Sequence, residues 1–183
     1  MIEIKNLSIK LGEKTIFSGY NSTLPDEGVV MISGESGIGK TTLLRVLCGL
    51  QKPDSGNIIG LADRKISVVF QEPRLLEHLT AIENVALVSD RATAVNLLCE
   101  LNMENEMYMK AGKLSGGQKQ RVSLARAFAF SDDIVLLDEP FTGLDEQNKQ
   151  KAARLIQTAR LAIVVSHDAK DAELLSVDEK IQL

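Results

Sequence analysis

The sequence predicts an α/β fold: a mainly parallel sheet covered by helices, with a small N-terminal antiparallel β region and an inserted helical lobe. Three observations carry that reading. The runs Ile134–Leu137 and Leu161–Val165 are too apolar to have a wet face, as in a parallel sheet covered on both sides. Strand-sized runs alternate with helical patterns along the chain. A helical stretch from Ala81 to Gly112 stands between two of the core strands.

The elements follow in order. Met1-Ile2-Glu3-Ile4-Lys5 alternates like a strand, and Gly12-Glu13-Lys14 reads as a turn between short strands that run to about Pro25. The β region covers about 1–27 and 55–70, with strands at Ile58-Ile59 and Ile66 to Phe70. Val29 to Ser33 is an apolar strand. The helix after it places Leu43, Leu44, Leu47 and Leu50 on one face and stops near Gly49 and Pro53. The lobe takes about 73–114, helical from Ala81 to about Met109, with Ala94, Leu97, Leu98 and Leu101 at i, i+3, i+4 and i+7. Ser115 opens a further helix whose Val122, Ala125, Phe128 and Ala129 face inward. The last strand ends with Leu183, and residues 1–183 read as one domain.

Composition narrows the function classes. With 44% hydrophobic and 25% charged residues the chain is an ordinary globular one, and its net charge of −4 argues against a broad grip on nucleic acid, so no nucleic-acid partner is expected. Cys48 and Cys99 lack metal-type spacing and read as packed, reduced thiols of a cytosolic protein. No signal peptide opens the chain, and no apolar run approaches the ~20 residues that span a bilayer.

Gly34-Glu35-Ser36-Gly37-Ile38-Gly39-Lys40-Thr41-Thr42 follows the strand at Val29–Ser33 and opens a helix. The spacing Gly34-x-x-x-x-Gly39-Lys40-Thr41 is that of a phosphate-binding P-loop in its required strand–loop–helix context. Glycines let the backbone curl so that successive N–H groups point at phosphate oxygens, and the helix adds its positive end. Lys40 is placed to reach the β- and γ-phosphates, and the Thr41 hydroxyl to bind Mg²⁺. The apolar strand at Ile134 ends in two adjacent carboxylates, at the sheet edge where ligands bind in such folds. Asp138 is placed for the Mg²⁺ shell and Glu139 to take a proton from attacking water. Together they predict a P-loop NTPase core and a nucleoside-triphosphate hydrolase.

Leu114-Ser115-Gly116-Gly117-Gln118-Lys119-Gln120-Arg121 sets a serine and two glycines at a helix start, a second possible anion site. The stretch resembles the signature sequence of the ABC transporter ATP-binding family almost letter for letter. Further motifs follow in family order: Gln71 matches the Q-loop glutamine, Gly143-Leu144-Asp145 the D-loop and His167 the switch histidine. The resemblance implies a head-to-tail dimer, of this chain or with a similar subunit, that holds ATP between one P-loop and the partner's signature helix. On that reading Leu114 to Gln118 face the partner's ATP, with Ser115, Gly116 and Gly117 on its γ-phosphate. His167 steadies the γ-phosphate and water, Gln71 contacts Mg²⁺ and senses a membrane subunit, and Asp145 packs across the dimer.

The resemblance has departures. The family's adenine-stacking aromatic is matched here by Leu11, so weak adenine discrimination is expected unless Phe17 or Tyr20 substitutes. The segment between Cys48 and Phe70 is shorter than usual. Gln71 to Thr80 is similar to small-molecule importers of nitrate, sulfonate and taurine type, and Lys110-Ala111-Gly112-Lys113 lacks the acidic motif of exporters. His78, Met103, Met107 and Met109 read either as contacts to a membrane partner or as a solvated loop and lobe packing. Two function classes follow. One is the ATPase subunit of a transporter, peripheral on the cytoplasmic face of the membrane, working with integral permease subunits and an extracytoplasmic substrate-binding protein. The other is a non-transport ABC ATPase of DNA repair, chromosome organisation or translation, disfavoured by the absence of coiled-coil insertions, zinc modules or a second ATPase half.

Overall fold

The computed structural model describes residues 1–183. Along the chain come β1 (Ile2–Leu11), β2 (Lys14–Leu24), β3 (Gly28–Ser33), α1 (Lys40–Leu47), β4 (Ser55–Ile59) and β5 (Ile66–Val69). The lobe follows with α2 (Ala81–Ala86) and α3 (Arg91–Glu100), then a short 3₁₀ turn at Ala111–Lys113. The chain closes with α4 (Gly116–Phe130), β6 (Ile134–Asp138), α5 (Glu146–Ile156), β7 (Leu161–Val165), α6 (Ala169–Leu174) and β8 (Glu179–Gln182).

Five strands make a parallel sheet in the order β5-β6-β7-β3-β8, and three make an antiparallel sheet in the order β2-β1-β4. The strand at 66–69, grouped by sequence with the β region, pairs with β6 and belongs to the parallel sheet. Its register sets Ile66 opposite Ile134 and Val69 opposite Leu137, and Val69 and Leu137 are both fully buried in the same core.

Alternation divides the core in two. Val30, Ile32, Ile134, Leu136, Leu161 and Ile163 point to the face covered by α1 and the antiparallel sheet. Val29, Met31, Val135, Leu137, Ala162 and Val164 point to the other face, where α4, α5 and the lobe pack. Every residue of β6 and β7 is buried, which is why β7, and β6 as far as Asp138, read as unbroken apolar runs.

The lobe is inserted between β5 and β6, and its neck is closed by backbone bonds from Ala111 N–H to Leu79 O (2.8 Å) and from Ala81 N–H to Met109 O (3.0 Å). Its Ile82, Val85, Leu98, Leu101, Met103 and Met107 are continuous with the sheet's own apolar core, so the lobe is not packed around a core of its own. Met103 and Met107 are buried there, whereas Met109 is 40% exposed. Leu50 departs from expectation: α1 stops at Leu47, and Leu50, past the Gly49 turn, is 61% exposed. Gly49, at φ 73°, ends the helix before a fourth leucine can join its apolar face.

Candidate nucleotide site

The carboxyl ends of β3, β5, β6 and β7 carry the loop Gly34–Gly39, Gln71, Asp138-Glu139 and Ser166-His167 respectively. That is the edge where parallel α/β sheets bind ligands. A cavity of about 400 Å³ opens there. Ser36, Gly37, Gly39, Lys40, Thr41 and Thr42 line it from the loop, facing Gln71, Asp138, Glu139 and Val165, with Leu11, Lys14 and Ile16 from the β1–β2 hairpin. Gly34, Glu35 and Ile38 stand outside this lining. Gly34 holds its place through backbone: its φ is 149°, and a side chain there would meet Leu183 O at 2.9 Å.

The loop is anchored from within. Lys40 Nζ donates to Gly34 O at 2.7 Å and Glu35 O at 2.9 Å, so the cation spans the turn it must fold across. Gly39 has φ 125°, and a Cβ there would lie 2.6 Å from Ile16 Cγ2 and 2.9 Å from Phe17 Cζ, so only glycine lets the hairpin close beneath the loop. Thr80, Asp90, Ser115, Asp145 and Asp168 each cap a later helix with a side chain. α1 starts at Lys40 after Gly39, which offers no side-chain cap and so leaves the helix's first N–H groups for a ligand anion.

Thr41 Oγ1 donates to Asp138 Oδ2 at 2.8 Å, and Asp138 is buried. With the Gln71 amide on the same wall, these are the hard oxygen donors that Mg²⁺ takes alongside substrate phosphates. No group of three His, Cys, Asp or Glu side chains forms a metal cage without such phosphates. Glu139 has φ 51°, an uncommon conformation for a side-chain-bearing residue, held by Glu139 N–H to Val165 O at 2.9 Å and by Thr142 N–H to Glu139 O at 3.2 Å. Its Oε1 sits 2.8 Å from His167 Nδ1, and that contact raises the His167 pKa above the ordinary histidine value. His167 does not line the P-loop cavity. It lines an adjacent cleft of about 290 Å³ with Phe141, Gly143, Leu144 and Lys149, and Glu139 is common to both.

The signature residues lie elsewhere. None of Leu114 to Gln118 touches the P-loop cavity. Ser115 caps α4: its Oγ accepts from Gln118 N–H at 3.3 Å, and Gln118 Oε1 accepts from Ser115 N–H at 2.9 Å. Leu114 is buried and anchors the turn. A Cβ on Gly117 would lie 2.3 Å from Gly143 O, so the start of α4 rests directly on the segment before Asp145. On Gly116 it would meet nothing within 4 Å. Asp145 caps α5, accepting from Asn148 N–H at 2.9 Å, and that bond holds its carboxyl below the usual carboxylate range.

Sequence reasoning missed several residues. Lys14 and Ile16 line the cavity because the register pairs Lys14 with Leu11 across the hairpin, a pairing that only the turn at Gly12 hints at. Buried Gln120 donates to Pro140 O at 3.2 Å and so ties α4 to the loop after Glu139. Arg121 is buried, donating to Leu101 O (2.8 Å), Asn102 O (2.6 Å) and Asn148 Oδ1 (3.3 Å), which clips the end of α3 to α4 and α5. Burial lowers its pKa.

Residues 17–142 match the family described as ABC transporter. The chain is 40% identical to the aliphatic sulfonates import ATP-binding protein SsuB of Granulibacter bethesdensis, over 96% of this chain and 77% of that protein. It is 34% identical to the sulfate/thiosulfate import ATP-binding protein CysA of Escherichia coli, over 93% of this chain and 54% of that one. A solved ATP-binding cassette, a dimer in a post-hydrolysis state bound to ADP and Pi, superposes with a TM-score of 0.86 at 31% identity, over 100% of this chain and 94% of that one. With the P-loop, Gln71, Asp138-Glu139 and His167 at one sheet edge, and a family match over residues 17–142, the chain belongs to the ABC transporter family as an ATP-binding cassette.

Proposed function

We propose that this ATP-hydrolysing transporter subunit powers import of a small solute through separate permease subunits, docked on the cytoplasmic face of the membrane and paired head to tail with a second cassette. The carrying observation is the division of the site. One chain holds the P-loop cavity with Lys40, Thr41, Asp138 and Glu139 on its walls, while Ser115 to Gly117 sit outside that cavity. The dimeric cassette of the same architecture supports the pairing. Relatives named for sulfonate and sulfate import support the direction and suggest oxidised-sulfur anions as the class of cargo. No helix is long and apolar enough to cross a membrane. An extracytoplasmic binding protein completes such an importer.

Position in the structure supports the following roles. Backbone N–H groups of the loop and the start of α1 bind the β- and γ-phosphates, with Lys40 exchanging its loop carbonyls for phosphate oxygens. Thr41, Asp138 and Gln71 would hold Mg²⁺, which would supply charge neutralisation on the phosphates. Glu139 accepts the proton of the attacking water, and His167, bonded to it, orients that carboxylate and meets the γ-phosphate. A partner's Ser115, Gly116 and Gly117 close over the phosphate, so hydrolysis releases what holds the pair together.

The test is recovery of the tagged chain from gently solubilised membranes. A polytopic membrane protein should come with it, and the recovered assembly should release phosphate from ATP. Recovery only with DNA-processing or ribosomal proteins would overturn the transport assignment.

A further inference from the structure

The segment after Glu139 is held from two sides. Gln120 and Gly117 of α4 meet it at Pro140 and Gly143. Asp145, exposed at its far end, is held by a single residue: its Oδ1 accepts from Asn148 N–H and its Oδ2 from Asn148 Nδ2, each at 2.9 Å. Asn148 is held in turn. Its Oδ1 accepts from Asn102 Nδ2 and from Arg121 Nη1, both at 3.3 Å. Asn102 stands just past the lobe's α3 at φ 55°, its O accepting from Arg121 Nη1 at 2.6 Å and its Oδ1 from Lys151 Nζ. Contacts therefore run from the end of the lobe, through one carboxamide, to both oxygens of Asp145.

A carboxamide suits these neighbours. A carboxylate only accepts and a guanidinium only donates, so the group between them must donate at one end and accept at the other. Neither Asn102 nor Asn148 lines the P-loop cavity or the cleft at His167. Asp145 follows Gly143, against whose O the start of α4 is packed, so a molecule closing over Ser115 to Gly117 meets this segment as well. We propose that Asn148 is a positioning residue for Asp145, whose carboxamide carries the placement of the lobe, fixed at Asn102 and Arg121, to the carboxylate beside the partner-facing turn. A lobe displaced at Asn102 then displaces Asp145, and closure of the pair weakens with the P-loop cavity unchanged. The inference rests on the head-to-tail pairing proposed above.

Two variants of the full chain cut this relay at different links. N148D keeps the shape and the bonds from Asn102 and Arg121 but turns an acceptor toward the Asp145 carboxylate. N102G removes the lobe's carboxamide and suits the left-handed backbone there. Each is assayed by steady-state ATP hydrolysis and, in an E139Q background with ATP and Mg²⁺, by analytical ultracentrifugation for the dimer dissociation constant. N148D should weaken the dimer and lower kcat by about fivefold or more, as loss of a hydrogen bond to a charged group does. Its KM for ATP should stay within about twofold, because the cavity is untouched. N102G should weaken the dimer by about threefold or more, and should add less than about twofold to N148D, in which the relay is already cut. A merely structural role would lower stability in urea and leave the dimer constant in place, and that result overturns the proposal. So would a raised KM with an unchanged dimer constant, or effects of the two variants that multiply in full, as independent sites do. If N148D fails to fold, N102G decides alone, and an unchanged dimer constant there overturns the relay. E139Q that stays monomeric with ATP overturns the pairing itself, whereas E139Q dimers indifferent to both variants overturn only this inference.

Discussion

Glu139 borders two cavities, and its carboxylate is bonded to His167 at 2.8 Å. Replacing it with glutamine keeps size and shape while removing the proton acceptor. E139Q should bind ATP normally and release phosphate about 10²–10⁴-fold more slowly, measured by equilibrium binding beside steady-state turnover. Near-normal turnover would remove Glu139 from its proposed role. The same pair makes a pH prediction. Glu139 raises the His167 pKa above its ordinary 6.5. The bond therefore stabilises the native state fully below the ordinary histidine pKa and fades as pH rises through the raised value. The chain has two histidines, so one substitution, H78Q, assigns the ring signals in an NMR titration. His167 should titrate above 6.5 and fall toward it in E139Q; identical midpoints in both chains would refute the coupling. Residues at strand ends, such as Asp138, are legible in sequence because an apolar run points straight at them. Lys14 is not, because its place in the cavity depends on a cross-strand pairing.

The two signature glycines do different work at the start of α4. A methyl group on Gly117 would lie 2.3 Å from Gly143 O, a backbone atom that cannot swing aside. A methyl group on Gly116 meets nothing within 4 Å. G117A should therefore destabilise the isolated chain by about 1–3 kcal/mol in urea unfolding, as overpacking does. G116A should leave stability unchanged or raise it by at most about 1 kcal/mol, since alanine restricts the unfolded backbone. If G116A nonetheless loses turnover, the open space over Gly116 is where a partner must approach. Equal stability of the two variants would show that contact with Gly143 is not what requires glycine. At this scale the buried strands are legible because burial on both faces leaves no polar residue to blur them until Asp138 at the end of β6. α5 is hard to see in the sequence because its first turns are wholly polar and its buried residues, Ala152, Ala153, Leu155 and Ile156, all fall near its end. β5 is visible in the sequence as a strand, but so short an apolar run does not encode which sheet it joins, and it pairs with β6 rather than with the antiparallel strands.

On the proposed pairing, whole-molecule behaviour depends on a surface one chain cannot complete. The P-loop cavity and the start of α4 are separate on this chain, so the proposed pairing assigns Lys40 and Ser115 of one competent site to different molecules. S115R adds bulk and charge at the α4 start without entering its own P-loop cavity, and K40A removes the cation from that cavity without touching α4. Each variant alone should turn over little ATP. In a mixed dimer, the intact P-loop of the S115R chain meets the intact signature turn of the K40A chain, and the reciprocal site carries both lesions. Random pairing at equal amounts makes about half the dimers mixed, so about a quarter of all sites should be whole. Phosphate release by the mixture should therefore recover toward that fraction while neither parent does, with mixed dimers verified by pulling down one tag and detecting the other. Verified mixed dimers that release no phosphate and trap no nucleotide would refute shared sites, because trapping needs one closed site and no cooperation between two. Full activity of S115R alone would refute them from the other side, by showing that the P-loop cavity needs nothing from a partner's α4.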